Sequence, residues 1–173
     1  MPRLLWFDRR FELGLPPEAF PYIVERVRGT PARLEDRVGG LPGGILTEAI
    51  GDAWSIQENV GHLGDLESLW AGRLDDLLAS RSELRPADLQ NRKTHEAGHK
   101  ERSVNELLAA FRRDRLVTVA RLDGLSTSQL EVTALHPRLQ QPTSVVDLFF
   151  FVAEHDDHHF AQITELARAF GAV

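Results

Sequence analysis

The stretch Glu154-His155-Asp156-Asp157-His158-His159 places three histidines within five consecutive positions, and these are the side chains in the chain best suited to chemistry. On a helix His155 and His159 stand one turn apart on the same face, with Cβ atoms about 5 to 6 Å apart, a separation from which two imidazoles can converge on one ion. Both positions continue the apolar stripe of Leu148, Val152, Ile163 and Leu166, so the rings are directed into the interior. A buried imidazole there needs partners for its ring nitrogens. His158 is turned about 100° from that line and ranks below the other two. A third candidate is His62, which flanks the stripe Val60, Leu63 and Leu66 and has Gly61 and Gly64 around it. Glycine costs roughly 1 kcal/mol against alanine in a helix interior. Two glycines beside a histidine therefore suggest that some group approaches the backbone closely. Any one of these histidines alone reads as an ordinary core or surface residue; the three together read as a metal site, because context gives a motif its weight.

A rival arrangement is His95-Glu96-Ala97-Gly98-His99, which matches the H-E-x-x-H pattern of zinc proteases. Its surroundings, Asn91 to Thr94 and Lys100 to Arg102, offer no apolar face to bury such a helix, and Gly98 weakens helicity. The segment is expected to be irrelevant to metal binding. Around the histidines, Glu58 reads as a helix cap, while Asp65, Glu154 and Asp157 read either as acceptors for ligand N–H groups or as solvated helix charges. Gln162, three positions after His159, can face a cavity, and His136 before Pro137 reads as part of a turn.

Four long helices are needed to carry these residues. Three begin with a Ser followed three positions later by an acid, a pairing that caps a first helical turn reciprocally: Ser55 with Glu58, Ser103 with Glu106, and Ser144 with Asp147. Apolar residues at spacings of three and four then predict helices from Ser55 to about Ser80, from Ser103 to Gly124 and from Ser144 to about Phe170. The first helix follows Pro16 and Pro17, and Thr30 with Pro31 reads as the cap and first position of a second piece, so a kinked or broken helix to Val38 is expected. The polar stretch Arg81 to Arg102 is long for a connection and can return the chain along the length of a helix. The pattern is that of an all-α four-helix bundle with a long crossover between its second and third helices, read as a single domain over 1–173.

Composition narrows the chemistry. The 173 residues contain no cysteine, which removes disulfides, thiolate zinc sites and a cysteine nucleophile. A net charge of −6 without a basic stripe argues against nucleic acid as a partner. The most apolar run, Leu148 to Ala153, is too short to span a membrane, and Asp8 to Glu12 cuts short the apolar run Leu4 to Phe7 that would begin a signal peptide. A cytoplasmic protein is expected.

Trp54-Ser55-Ile56-Gln57-Glu58 leading into His62-Leu63-Gly64-Asp65, together with Ala153-Glu154-His155 through His159-Phe160-Ala161-Gln162-Ile163, resembles the DinB-like and YfiT-like metal-binding proteins. The resemblance covers most of the chain, including the order of helices and the Thr30-Pro31 break. It implies an up-down-down-up bundle, a site on His62, His155 and His159 with open positions for water, and frequent homodimers. Some members of that family resemble S-transferases that use a low-molecular-weight thiol as cosubstrate, and many are described as metal-dependent hydrolases. The resemblance thus points to a metal-dependent transferase acting on a small-molecule substrate, with a hydrolase or a non-catalytic metal-binding stress-response protein as alternatives. Three histidines suit Zn, Ni, Fe or Co similarly.

Overall fold

The computed structural model describes residues 4–172. Its helices are α1 (Phe20–Gly39), α2 (Ile56–Asp65), α3 (Glu67–Leu78), α4 (Arg92–Glu96), α5 (Val104–Asp123), α6 (Thr127–Leu130) and α7 (Val145–Ala169). Two three-residue strands, β1 (Thr133–Leu135) and β2 (Pro142–Ser144), pair antiparallel with Ala134 opposite Thr143. The bundle is formed by α1, by α2 and α3 in succession, by α5 and by α7, in up-down-down-up order with the long crossover between α3 and α5.

The cap signatures behave unequally. The Ser55 hydroxyl accepts from the Glu58 amide at 3.2 Å while Glu58 reaches back to the Ser55 amide at 2.8 Å, and Ser144 with Asp147 repeats the arrangement at 3.1 and 3.0 Å. Ser103 occupies the N-cap of α5 without a side-chain cap bond. The Asp147 carboxylate also accepts from the amides of Gly14 and Leu15, tying the N-terminal segment to the start of α7.

Two expectations about helices change. The segment after Ser55 is interrupted at Leu66, so α2 and α3 are separate helices. The first helix does not break at Thr30 and Pro31: α1 runs through both. Pro31 has no amide proton, so the Val27 carbonyl one turn earlier loses its helical donor. Arg115 Nη1 of α5 lies 3.3 Å from that carbonyl and replaces it. The Thr30 hydroxyl, instead of capping a new helix, bonds back to the Arg26 carbonyl at 3.1 Å and across to Asp156 at 2.9 Å.

Apolar packing falls into two clusters, one around Val27, Trp70, Val119 and Val152, the other around Leu34, Leu63, Phe111 and Ile163. On every bundle helix the change from one cluster to the other is marked by buried polar residues: Thr30 on α1, His62 and Glu67 on α2 and α3, Arg115 on α5, and His155, Asp156 and His159 on α7. A polar layer therefore crosses the middle of the bundle. Half of that layer is an ion network. Arg115, 1% exposed, donates to Glu67 at 2.7 Å and to Asp156 at 2.6 Å, so four helices are joined through one guanidinium.

Candidate metal centre

The other half of the polar layer is histidine. α7 projects His155 and His159 from one face, and α2 projects His62 against them, all three at least 96% buried. One ring nitrogen from each lies within 4.8 Å of the other two. His155 Nε2 and His159 Nε2 are 3.2 Å apart.

The orientation of two rings follows from their outer nitrogens. His159 Nδ1 is 2.8 Å from Asn59 Oδ1, and the Asn59 amide nitrogen donates to the Ser55 carbonyl at 2.8 Å, which directs the amide oxygen towards the histidine. The proton of His159 therefore sits on Nδ1, leaving the Nε2 lone pair facing inward. His62 Nδ1 is 2.9 Å from the Thr94 hydroxyl, and that hydroxyl donates to Asp65 Oδ2, also at 2.9 Å. Its only remaining hydrogen-bonding role is as acceptor, so His62 carries its proton on Nδ1 and turns its Nε2 lone pair inward as well. His155 Nδ1 is buried without a hydrogen-bond partner, and its ring is held by the edges of Trp6 and Trp70 at 5.0 and 5.7 Å between centroids. Burial is the main cause that pulls the His62 imidazole down to about 4 and His155 well below the ordinary histidine value. Three buried imidazoles with converging ring nitrogens form a cluster suited to a divalent cation.

Other residues named from the sequence are distributed as follows. Asp65 is bound to the Thr94 hydroxyl and, at 2.8 Å, to His99 Nε2, so it supports His62 through an intermediary. Glu154 pairs with Arg9 and Arg26, and Asp157 with Arg26 and Arg33, so Glu154 anchors the N-terminal segment and both carboxylates anchor α1. Glu58 is the cap of α2 and is also 3.3 Å from Lys100. His158 and Gln162 line the cavity beside the triad, with Gln162 Nε2 2.9 Å from His158 Nε2. His136 is buried in the turn between the strands and lines the same cavity.

The segment Asn91 to Arg102 departs from expectation. His95 and His99 do not share a helix, because α4 ends at Glu96 and Gly98 adopts a φ of +61°, so no protease-like pair forms. Yet the segment is not a bystander: Thr94 and His99 are buried, and a Cβ on Gly61 would overlap the His99 ring. The close approach expected at the helix glycines is real at Gly61, while Gly64 has only ordinary contact with Phe111. Asn59 and Thr94 are not among the candidates that the sequence pattern offers. For Asn59 a signal existed, since a buried amide three positions before His62 interrupts an apolar stripe; for Thr94 there was none.

The triad opens on a cavity of about 540 Å³ whose wall includes Trp6, Trp54, Leu66, Trp70 and Phe151. No helix among the described residues is long and apolar enough to cross a membrane.

Among curated protein sequences none matches this chain. The chain resembles the structure of YfiT from Bacillus subtilis, described as a probable metal-dependent hydrolase with an unusual four-helix bundle topology, with a TM-score of 0.82 and 22% identity over 95% of each chain. That likeness concerns the fold. The family model of the DinB superfamily matches residues 26–163, and the chain belongs to that superfamily.

Proposed function

We propose that His62, His155 and His159 bind one divalent metal ion through their Nε2 atoms and that the protein is a metal-dependent hydrolase acting on a small molecule in the adjoining cavity. The observation that carries this reading is the convergence of three buried imidazoles, two with tautomers fixed by Asn59 and Thr94, at the floor of a mostly apolar cavity. Three protein ligands leave coordination positions for water and substrate, whereas a structural zinc is closed by four. Bound there, a divalent cation supplies Lewis-acid polarisation and water activation near neutral pH. The protein's own part is to hold the imidazoles buried and oriented, to keep bulk water off them with Trp6, Trp54 and Trp70, and to present His158 and Gln162 to a substrate beside the triad. The description of YfiT supports hydrolysis as the reaction class.

The test is metal analysis of the purified protein, followed by 4-nitrophenyl ester hydrolysis after chelation and after reloading with Zn, Ni, Fe or Co. Activity that disappears with the metal and returns with one of these ions is expected; full activity in the chelated protein would sink the reading. An S-transferase would use the same imidazoles, and because the chain has no cysteine its sulfur would come from a free thiol. A sulfur-to-metal charge-transfer band on adding such a thiol to the cobalt-loaded protein would favour transfer over hydrolysis. A tightly held metal with neither activity would favour a binding protein.

A further inference from the structure

Beyond the triad, the same cavity holds two positive charges, Arg73 and Arg138, that have no counter-ion among the described residues. Arg73, on α3, is 2% exposed, and among the described residues no carboxylate pairs with it. Asp76, the acid whose charge acts on Arg73, is held by both Nε and Nη2 of Arg85, at 2.9 and 2.8 Å. Arg138, in the turn between β1 and β2, lies over the Trp6, Phe7 and Phe151 rings, and its Nη2 is buried without a hydrogen-bond partner. Burial, reinforced by the Arg138 charge, pulls the Arg73 guanidinium down to about 10.

His136, between the two arginines, sharpens the deficit. Its Nδ1 is 3.2 Å from each of the backbone amides of Arg138 and Leu139, and its Nε2 is 3.0 Å from Arg73 Nη1. Burial and the two cations pull this imidazole down to about 3, so it is neutral and has one lone pair to offer three N–H donors. If Nδ1 accepts from the turn amides, Nε2 carries the proton and meets Arg73 as a second donor. If Nε2 accepts from Arg73, the turn amides lose their acceptor. In either arrangement donors around this imidazole lack an acceptor, an unfavourable state away from bulk water.

We propose that Arg73, Arg138 and His136 Nε2–H form a subsite for a carboxylate, so that the cavity accepts amphipathic organic acids: the anion on these donors, the apolar body along Trp6 and Trp70, and the reactive group at the histidine triad. A carboxylate supplies acceptors for all three donors and the negative charge that both guanidinium groups lack. The spacing is compatible with one small substrate, because the Trp70 ring lies 5.7 Å from the His155 ring and 5.6 Å from Arg73 Cζ. The substrate class rests on the reading of the cavity as a hydrolase site; the anion subsite does not.

The probes are 4-phenylbutanoate and its neutral amide, 4-phenylbutanamide, titrated calorimetrically into the metal-loaded full-length protein. The acid should bind at least about tenfold more tightly than the amide, the value of one charge-assisted hydrogen bond. Arg138→Gln and Arg73→Gln should each remove that preference while leaving metal content and amide binding unchanged, and Arg138→Lys should restore part of it. Arg73 is buried and its variant can fail to fold; Arg138 is half-exposed, and its pair of variants then carries the test. Equal binding of acid and amide, no detectable binding of the acid, or acid binding that survives both glutamine changes but is lost in His62→Ala would overturn the subsite, the last by placing the carboxylate on the metal. Absence of metal-dependent ester hydrolysis with the acid preference intact would instead overturn the hydrolase reading alone.

Discussion

At each histidine the second nitrogen decides what the first can do. With Nδ1 of His62 and His159 engaged by Thr94 and Asn59, the Nε2 atoms are available to an ion without any rearrangement of the rings. Single changes of His62, His155 or His159 to Ala should therefore each abolish stoichiometric metal in the purified protein, measured by elemental analysis, while His158→Ala should retain it. Changing the supporting partners should give a graded effect: Asn59→Ala and Thr94→Val should weaken metal affinity by about 10- to 100-fold, the usual range for groups that orient a ligand, as read in competition with a chromophoric chelator. Unchanged affinity in both would show that the tautomers are not controlled from outside the triad. Because an ion bound only to the folded chain adds RT ln(1 + [L]/Kd), about 2.7 kcal/mol at one hundred times Kd, a chelator should also lower the melting temperature.

Among the elements, the tie between the four bundle helices and the docking of the crossover are the features that position the site. Arg115 joins α3 and α7 through Glu67 and Asp156 and completes α1 at the Val27 carbonyl, all away from solvent. Removing one partner of a buried ion network leaves uncompensated charge, so Arg115→Met should cost about 3 to 5 kcal/mol in denaturant unfolding. A loss under 1 kcal/mol, on the scale of an exposed pair, would mean that the carboxylates are satisfied without it. In the crossover, His99 fills the space that Gly61 leaves and binds Asp65, whereas His95 is exposed, with its ring 5.6 Å from the Trp54 ring between centroids. Hence His99→Ala and Gly61→Ala should each lower stability, and should loosen Thr94 from His62 enough to weaken metal binding. His95→Ala should do neither.

Over the whole molecule, burying neutral histidines makes stability depend on pH with a definite sign. The unfolded chain's histidines take up protons near pH 6.5. In the folded chain burial holds His62 near 4 and His136 near 3, and His155 is also depressed. Below pH 6.5 the unfolded state therefore binds more protons than the native state, so this stability is fully present above 6.5 and is lost as pH falls through 4 towards 3. Denaturant unfolding of the chelated protein at pH 7, 6, 5 and 4 should show a progressive decline. A flat profile over that window would mean that the histidines are not held neutral in the native state.

The positions of the long helices and the pair His155 and His159 could be read from local pattern, because capping pairs, apolar spacing and the geometry of one helical turn are short-range properties. Ser55 with Glu58 and Ser144 with Asp147 mark helix starts correctly for that reason, and His62 was reachable as an imidazole on an apolar face. Pro31 misled because its cost is local while its remedy, the Arg115 guanidinium, comes from another helix. The segment around His95 and His99 misled in the same way: its polar composition suggests a solvated loop, but packing buries Thr94 and His99 against α2. The pairing of Arg73 with His136, rather than with an acid, depends on how the strand turn docks on α3. Contacts between groups far apart in the chain leave no periodicity or composition behind them, so the tautomers of the triad, the buried ion network and the charge of the cavity were decided only when the helices packed.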